Sequence, residues 1–298
     1  MRIGPSGVWS NFDRLGAEAL RAFARSAEER GYDAIWTQET AGRDPFAVLG
    51  HLAAHTDRIR LGVGISVVYG RDPTAMRGGA AAVHELSGGR MVLGIGASHR
   101  DTVSEVRGHE YRGPLTAMRE YLDRYDAAEY RAPQPHGRPP LLIAALRRRM
   151  LELAATRTDG AFPYLVPVSY VADARRSLDA AAASAGRPRP LLVVSAACLL
   201  QTDASDARRA ARTYLERYLG LPNYVNNLRE AGFSDAELAP PGADRVVDAL
   251  VAWGSADTIR GRLRDLLDAG ADHVALIPLN AEGKMADHAT MEALAPPW

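Results

Sequence analysis

The stretch VHELSGGRMVLGIGAS, Val83 to Ser98, passes from an amphipathic helical pattern through a short glycine turn into an apolar strand. The same order of helix, polar turn and strand returns along the chain. It is found in AEERGYDAIWTQE (27–39), LAAHTDRIRLGVGIS (52–66), LAATRTDGAFPYLV (153–166) and LLDAGADHVALIPL (266–279). Strands that alternate with helices and lack polar alternation are buried on both faces, which is typical of a parallel sheet with right-handed crossovers. The pattern therefore predicts an α/β fold.

Eight strands are predicted on this basis. They are Arg2–Trp9, Ala34–Glu39, Arg60–Ser66, Met91–Ser98, Leu141–Ala145, Gly160–Val166, Leu191–Leu200 and His273–Leu279. Eight parallel strands in a chain of 298 residues indicate a TIM (β/α)8 barrel. An open, doubly wound sheet is the alternative.

Composition limits the class of protein further. The chain is 47% hydrophobic without a low-complexity tract, which predicts one domain over residues 1–298. Its 36 basic and 36 acidic side chains balance, so neither nucleic acid nor an anionic membrane is expected as a partner. The N-terminus lacks a signal-peptide pattern, the apolar run Leu191–Leu200 is too short to span a bilayer, and Cys198 has no second cysteine to pair with. We therefore expect a soluble cytoplasmic protein. Lys284 is the single lysine, which excludes Walker-type nucleotide binding and disfavours Schiff-base chemistry.

Two predicted strands carry the same glycine pattern, LGVGIS (61–66) and LGIGAS (93–98). Neither completes a GxGxxG dinucleotide fingerprint, because Val67 and His99 stand where the third glycine is required. In a barrel, the carboxyl ends of the strands line the active site. Six residues are therefore expected at one mouth: Gly64, Ile65, Ser66, Gly96, Ala97 and Ser98. Glycine in a strand indicates either tight barrel packing or close approach of a ligand, and both interpretations stay open.

Histidines in HLAAH, His51 and His55, have a spacing that can bind zinc. The glutamate of a zincin motif is absent, and the helix is predicted to lie on the outer ring of the barrel, so surface histidines are favoured and no metal is predicted. The segment YLERYLGLPNYVNNLREAGFSDAEL (214–238) is too long for a simple connection. It can cap the pocket or form a subunit contact, so a homodimer is an open alternative. Ser255 is predicted to cap the helix that follows.

Five segments, taken in order, resemble the luciferase-like monooxygenase superfamily, and within it the subgroup that uses the deazaflavin coenzyme F420. They are GYDAIWTQETAGRDPF (31–46), RLGVGI (60–65), VLGIGAS (92–98), PPLLIAALRRRMLELAATRTDGAFPYLV (139–166) and WGSADTIRGRLRDLLDAGADHVAL (253–276). The resemblance implies a TIM barrel with helical insertions after strands 4 and 7. The extra lengths His99–Pro140 and Thr202–Ser255 agree with this expectation.

The resemblance also implies where the cofactor binds. The third strand would end in a bulge with a non-prolyl cis peptide, here Gly64–Ile65, that backs the deazaflavin ring. Ser66 and the GAS segment 96–98 would face the cofactor tail. The phosphodiester of the tail would lie at the segment IAALRRRM (143–150), which makes Ala144, Ala145 and Arg147 further candidate cofactor ligands. Relatives usually have glycine and proline where this chain has Arg147 and Arg148, and the Arg147 guanidinium can pair with a phosphate instead.

Two residues are candidates for catalysis, Glu39 and His99. Many deazaflavin enzymes of the superfamily have a histidine after the second strand, where this chain has Glu39 and Thr40. Glu39 can act as a general acid or base if burial raises its pKa, hydrogen-bond the ring edge of the cofactor, or pair with Arg43. His99 can contact substrate or cofactor, or have no role.

The resulting interpretation is an F420-dependent oxidoreductase that transfers hydride between the cofactor and a small organic substrate. The first alternative is an FMN-dependent two-component monooxygenase of the same superfamily. The second is a flavin-binding barrel that has lost catalysis. The identity of the substrate lies in pocket side chains that the sequence pattern does not identify.

Overall fold

The computed structural model describes residues 3–298, and its centre is a closed barrel of parallel strands. The strands are β1 Ser6–Trp9, β2 Ala34–Thr37, β3 Arg60–Val67, β4 Met91–Gly96, β5 Leu141–Ile143, β6 Gly160–Ala161, β7 Leu191–Leu200, β8 Val251–Gly254 and β9 His273–Leu279. Neighbours pair in parallel from β1 to β7, and β9 closes the ring by pairing with both β7 and β1. The predicted TIM barrel is confirmed, and closure excludes the open sheet.

One strand was not predicted, β8, which belongs to the insertion after β7. It pairs in parallel with the last four residues of β7, Ala197–Leu200, whereas β6 pairs with the first two. Several predicted strands are shorter than expected, because their last residues leave the ladder and form the loops of the barrel mouth. The predicted strand Gly160–Val166, for example, pairs only over Gly160–Ala161. Arg2, the predicted first residue of β1, lies outside the described residues.

Twelve α-helices accompany the strands within residues 3–298. They are α1 Ala17–Glu29, α2 Pro45–Ala53, α3 Pro73–Leu86, α4 Pro114–Ala127, α5 Arg148–Arg157, α6 Val168–Ser184, α7 Ala204–Leu219, α8 Pro222–Glu230, α9 Asp235–Leu238, α10 Asp244–Leu250, α11 Ala256–Asp268 and α12 His288–Ala293. The insertion after β4 contains a π-helical turn, Thr102–Val106, before α4. The insertion after β7 contains α7 to α10 and β8. None of the helices in this described part is long and apolar enough to cross a membrane.

Side chains that precede the helices define where several of them begin. Asp44 and Asp72 each accept hydrogen bonds from backbone nitrogens of the first turn, and a proline follows each as the first helical residue. Ser255 accepts a hydrogen bond from the backbone nitrogen of Thr258, which confirms the predicted cap of α11. These caps fix the β-to-α turns at the end of the barrel where the strands finish.

Two apolar layers stabilise the barrel. Outward-facing residues of the strands pack against the ring of helices, and inward-facing residues fill the interior, where the largest side chains are Trp9, Trp36 and Phe162. At the opposite end from the mouth, Arg90 donates hydrogen bonds to four backbone carbonyls and to the Thr56 hydroxyl. All three nitrogens of its guanidinium are used, so this charge links the C-terminal ends of α2 and α3 to the barrel.

Candidate active site

The mouth of the barrel is lined by partly exposed residues at the ends of successive strands. Gly64 and Ile65 are half-buried, although the residues on either side of them in β3 are buried. Ala144 after β5 and Tyr164 after β6 are also half-buried, as is Ser98 after β4. The structure therefore brings the predicted segments 64–66, 96–98 and 144–147 to one end of the barrel. Gly64 and Ile65 are partly exposed near the end of β3.

Glycines of β3 leave space for aromatic rings inside the barrel. A Cβ atom on Gly62 would lie 2.1 Å from Cε3 of Trp36, and one on Gly64 would lie 2.2 Å from Cε1 of Phe162. The rings of Trp36 and Phe162 are in turn 5.0 Å apart and nearly perpendicular. Barrel packing is therefore sufficient to require both glycines, and close approach of a ligand to Gly64 stays the other interpretation. Contact of a ligand with the Gly64–Ile65 peptide stays a prediction.

The backbone at the end of β3 has the geometry that the family resemblance implies. The register between β3 and β4 shifts between Val63 and Ser66, and the Gly64–Ile65 peptide is cis. The Trp9 indole donates a hydrogen bond of 2.8 Å to the Gly64 carbonyl, and the Glu39 backbone nitrogen donates one of 3.1 Å to the Ile65 carbonyl. The Trp9 side chain at the end of β1 and the backbone that follows β2 thus hold the two carbonyls of this peptide segment.

Glu39, a predicted catalytic residue, is held in a closed network of hydrogen bonds and ion pairs. Its Oε2 accepts hydrogen bonds from the Ser66 hydroxyl and from the backbone nitrogen of Val67, 2.9 Å away. Its Oε1 is 3.2 Å from the Arg107 guanidinium, and Nε of Arg71 is 3.6 Å from Oε2. The carboxylate is only 6% exposed. This geometry suits a residue that joins three loops, and the expected pair with Arg43 is not formed.

Ser66 is fully buried, and its hydroxyl is committed to Glu39. The Ser66 hydroxyl therefore points to Glu39 and does not face the mouth, contrary to the expectation that it faces a cofactor tail. After β4 the backbone turns at Ser98, which has a φ of 58°. The backbone nitrogens of Ala97 and Ser98 make no backbone hydrogen bond within residues 3–298. These two donors, next to buried Gly96, are available at the mouth.

His99, the other predicted catalytic residue, lies half-buried over the ring of Tyr224, with the two ring centroids 5.5 Å apart. Burial lowers the pKa of His99, and the nearby Arg217 charge lowers it further, while a hydrogen bond with Asn223 acts in the opposite direction. The imidazole is therefore neutral near pH 7. Its position is at the mouth, and its catalytic role stays a prediction.

The loop after β5 leads into α5, where the phosphate was expected. Tyr170 donates a hydrogen bond of 2.7 Å to the Leu146 carbonyl, which fixes the loop that carries Ala144 and Ala145. Arg147 occupies the cap position of α5, and its side chain has donors only. No side chain within residues 3–298 therefore accepts a hydrogen bond from the first backbone nitrogens of this helix. Arg147 is exposed, and the neighbouring Arg148 pairs with Glu152 at 2.9 Å. The start of α5 therefore offers an anion backbone donors and the guanidinium of Arg147, which is not held in an ion pair with any described residue.

Four tyrosines, from the loop after β6 and from helices α7 and α8, form a cluster that covers one side of the mouth. Tyr164 follows β6, Tyr214 and Tyr218 lie on α7, and Tyr224 lies on α8. The Tyr164 hydroxyl is hydrogen-bonded to that of Tyr214 and lies 3.0 Å from that of Tyr218. The Tyr164 ring is 5.5 Å from the ring of Trp9. The insertion after β7 thus caps the pocket, as one of the two sequence-based alternatives expects.

A second concave surface of about 400 Å³ lies beside the mouth, between the loop after β3 and helix α4. Two of its three arginines, Arg112 and Arg124, approach Glu120, and the third, Arg71, pairs with Asp44. These carboxylates offset the positive charge of the three arginines in the groove. Across residues 3–298, no group of three or more His, Cys, Asp or Glu side chains is arranged to hold a metal ion.

Sequence reasoning did not identify the roles of Arg71, Arg107 and Tyr218. A signal existed for the tyrosines, because Tyr214 and Tyr218 are four residues apart and therefore share one face of a helix. No comparable signal marks the arginines, which meet Glu39 over sequence separations of 32 and 68 residues.

The closed parallel barrel, with its polar and aromatic mouth at the strand ends, is that of a TIM-barrel enzyme. The chain belongs to the luciferase-like monooxygenase family, whose sequence pattern it matches over residues 5–273. It is 30% identical to the 5,10-methylenetetrahydromethanopterin reductase of Archaeoglobus fulgidus over 86% of this chain and 88% of that protein. These matches confirm the predicted family and the prediction that the chain is an oxidoreductase of that family.

Solved structures agree in fold. The coenzyme F420-dependent tetrahydromethanopterin reductase of Methanopyrus kandleri superposes with a TM-score of 0.74 at 18% identity, covering 99% of this chain and 98% of that one. The oxygenating constituent of 3,6-diketocamphane monooxygenase from Pseudomonas putida, in complex with FMN, also gives 0.74, at 15% identity and with coverages of 98% and 96%. One barrel architecture therefore accommodates either cofactor.

Proposed function

We propose that this protein is a coenzyme F420-dependent oxidoreductase that transfers hydride between the deazaflavin and a small organic substrate. The observation that carries the proposal is the partly exposed Gly64–Ile65 segment near the end of β3, whose carbonyls accept hydrogen bonds from Trp9 and from the Glu39 backbone at the mouth. Similarity to a methylenetetrahydromethanopterin reductase supports a reductase, and the F420-dependent reductase of the same fold supports the cofactor.

The residues of the mouth fit a flat ring. Gly64 and Ile65 offer a backbone surface on one side, and the Tyr164 and Tyr218 rings stand on another. Ala144 adds a small side chain where a bulky one would narrow the space. In the proposal, these residues hold the ring against the β3 bulge and exclude water from one face of it.

The surroundings of the mouth also fit an anionic tail. The backbone nitrogens of Ala97 and Ser98 are free of backbone partners, and α5 begins without a side-chain cap. Backbone donors at a helix N-terminus favour a phosphate. In the proposal, Gly96 to Ser98, Ala145 and the first turn of α5 hold the phosphodiester, and the Arg147 guanidinium pairs with it.

When bound, the deazaflavin supplies hydride chemistry at its central ring carbon, so the residues of the chain orient and protect rather than carry out the redox step. Glu39 serves as a positioning residue in this proposal, because both of its oxygens are occupied. It connects β2, the β3 bulge and the insertion that carries Arg107. His99 is neutral at the mouth and is proposed as a contact for the substrate or the cofactor.

FMN is the competing cofactor, since a monooxygenase of the same fold is solved with it. Titration of the purified protein with F420 and with FMN, followed by fluorescence and calorimetry, tests the choice. We expect F420 to bind at least tenfold more tightly. Ala144→Phe should abolish binding by filling the mouth, whereas Ala183→Phe, on the exposed side of α6, should leave it unchanged.

Equal or tighter binding of FMN would overturn the assignment of the cofactor. Bound reduced F420 that no carbonyl or imine compound can reoxidise would instead favour the flavin-binding barrel without catalysis.

A further inference from the structure

The tyrosine cluster contains a hydrogen-bonded row of three hydroxyls with a defined direction. Each phenol has one proton to donate. Tyr214 is 6% exposed, and within residues 3–298 its hydroxyl meets only that of Tyr164. A buried donor without an acceptor is costly, so the Tyr214 proton is directed to Tyr164. Tyr164 in turn donates to Tyr218, 3.0 Å away.

The row therefore ends at Tyr218, whose own proton has no acceptor within the described residues. Tyr218 is half-buried, whereas Tyr214 at the other end of the row is buried. The aromatic contacts continue from Tyr218 through Tyr164 to Trp9, with centroid separations of 5.3 and 5.5 Å. Trp9 binds the Gly64 carbonyl. The row is thus connected through Trp9 to the peptide on which the proposed ring lies.

We propose that Tyr218 donates the proton to a carbonyl oxygen of the substrate, and that Tyr164 and Tyr214 are positioning residues that hold Tyr218 and stabilise its anion. This inference rests on the proposed function and deepens it. It assigns the group that protonates a carbonyl acceptor and, with it, the direction of the reaction, which is reduction. Neither Tyr214 nor Tyr218 belongs to the barrel framework, because both are supplied by the insertion after β7.

Bound reduced deazaflavin would supply a hydride with its electron pair to the carbonyl carbon, so that a new C–H bond would form and the cofactor would be oxidised. The C=O π bond breaks, and its electron pair goes to the oxygen, which takes the proton of the Tyr218 O–H group. The Tyr218 oxygen keeps the hydrogen bond from Tyr164 and regains a proton from water. The proton that leaves the cofactor on oxidation returns to water.

Electrostatics favour a donor at this position. Burial raises the pKa of Tyr218, and the hydrogen bond with Tyr164 and the charge of Arg217 act in the opposite direction. Burial also raises the pKa of Tyr164 and Tyr214 well above the usual range, so the row stays protonated near pH 7. Burial lowers the pKa of His99 on the same side of the mouth, so its imidazole is neutral near pH 7 and is not a cationic acid. A protonated phenol stabilises an oxygen on which negative charge develops.

The test uses cyclohexanone labelled with ¹³C at the carbonyl and three variants: Tyr218→Phe, Tyr214→Phe and Tyr125→Phe. Tyr125 is a buried tyrosine on α4, outside the mouth, and serves as the control. Infrared difference spectra of the protein without cofactor report the hydrogen bond to the probe. We expect the C=O stretch of the bound probe to move to higher frequency in Tyr218→Phe only, with about fivefold weaker binding, the effect of one neutral hydrogen bond.

Kinetics of the F420-loaded protein give the second measurement. Tyr218→Phe should lower kcat for cyclohexanone at least 100-fold without changing F420 affinity, the range expected for loss of a general acid. Tyr214→Phe should leave the infrared shift in place, lower kcat less, and move the alkaline limb of the pH profile upward. Tyr125→Phe should match the wild type in each measurement.

The inference would be overturned if the bound probe had the same infrared frequency and affinity in the wild type and in Tyr218→Phe. It would also be overturned if the probe bound to neither protein. Equal losses in all three variants would also overturn it, because they would indicate a structural effect. Failure of the proposed function is distinguished by the first measurement: if F420 does not bind, the infrared shift in the cofactor-free protein still reports whether Tyr218 meets a carbonyl.

Discussion

Gly64→Ala separates the two interpretations of the β3 glycines. The new Cβ would stand 2.2 Å from Cε1 of Phe162, whereas a carbon–carbon contact is favourable at about 3.5–4.0 Å. The ring must therefore retreat by more than 1 Å. It is 3% exposed and packs edge-on against Trp36, which is itself fully buried. Overpacking of this kind costs about 1–3 kcal/mol, and we expect a value of about 2 kcal/mol in the free energy of unfolding.

The assay is urea unfolding of the protein without cofactor, in a double-mutant cycle with Phe162→Leu. Because the smaller side chain makes room for the new methyl group, Gly64→Ala should cost about 2 kcal/mol less in the Phe162→Leu background than alone. Gly78→Ala is the matched control, since a Cβ there meets no atom within 4 Å. In the interior of α3 it should be neutral or stabilising by up to about 1 kcal/mol.

Unchanged stability of the cofactor-free Gly64→Ala protein, together with weakened F420 binding, would refute the packing argument. In that case the glycine would be required by the ligand, which is the other of the two sequence-based interpretations. Additive effects of the two substitutions would also contradict it, because the structure places the two side chains in direct contact.

The remaining predictions concern the tail site, the barrel floor and the loop network. Arg147→Ala should weaken F420 binding by about 1–3 kcal/mol, less at high salt, and should not affect a deazaflavin that lacks the phosphate tail; Arg148→Ala is the control in calorimetry. Burial lowers the pKa of His273 to about 4, so its neutral state stabilises the fold above the unfolded pKa of about 6.5. Between pH 7 and pH 4 the free energy of unfolding of the wild type should therefore fall by about 3 kcal/mol more than that of His273→Gln, and an equal fall in both proteins would contradict this. Arg90→Lys should lower the free energy of unfolding by about 2–4 kcal/mol, because an ammonium cannot serve all five acceptors, and equal urea midpoints would contradict this. Glu39→Gln should speed proteolysis of the insertion after β4, which loses its charged partner, and an unchanged cleavage rate would argue against a positioning role.

The sequence was sufficient for the architecture. Alternation of amphipathic helices with doubly apolar strands requires parallel pairing, because such strands must be covered on both faces. Eight of the nine strands and the cap at Ser255 follow from local patterns of a few residues. The strand Val251–Gly254 was missed for a physical reason: it continues directly from α10, and its partner is the far end of β7, so nothing local distinguishes it from a helix end.

Local sequence also placed the site at the strand ends, since in a parallel barrel all carboxyl ends meet at one mouth. It could not say what each residue does there. Glu39 was predicted to act as an acid or base, to hydrogen-bond the ring edge of the cofactor or to pair with Arg43, yet its partners are Arg71 and Arg107. These contacts exist only because closure of the barrel brings loops from β2, β3 and β4 together.

The packing of the barrel interior was likewise only partly predictable from the sequence. The sequence showed that Gly62 and Gly64 were unusual in a strand, and both interpretations of them were physically sound. Only the closed barrel shows that Trp36 and Phe162, from two other strands, project into the same space. Side-chain identity and strand period are local properties of the chain, whereas the partner across a barrel is set by strand order and register, which pairing over long sequence separations decides.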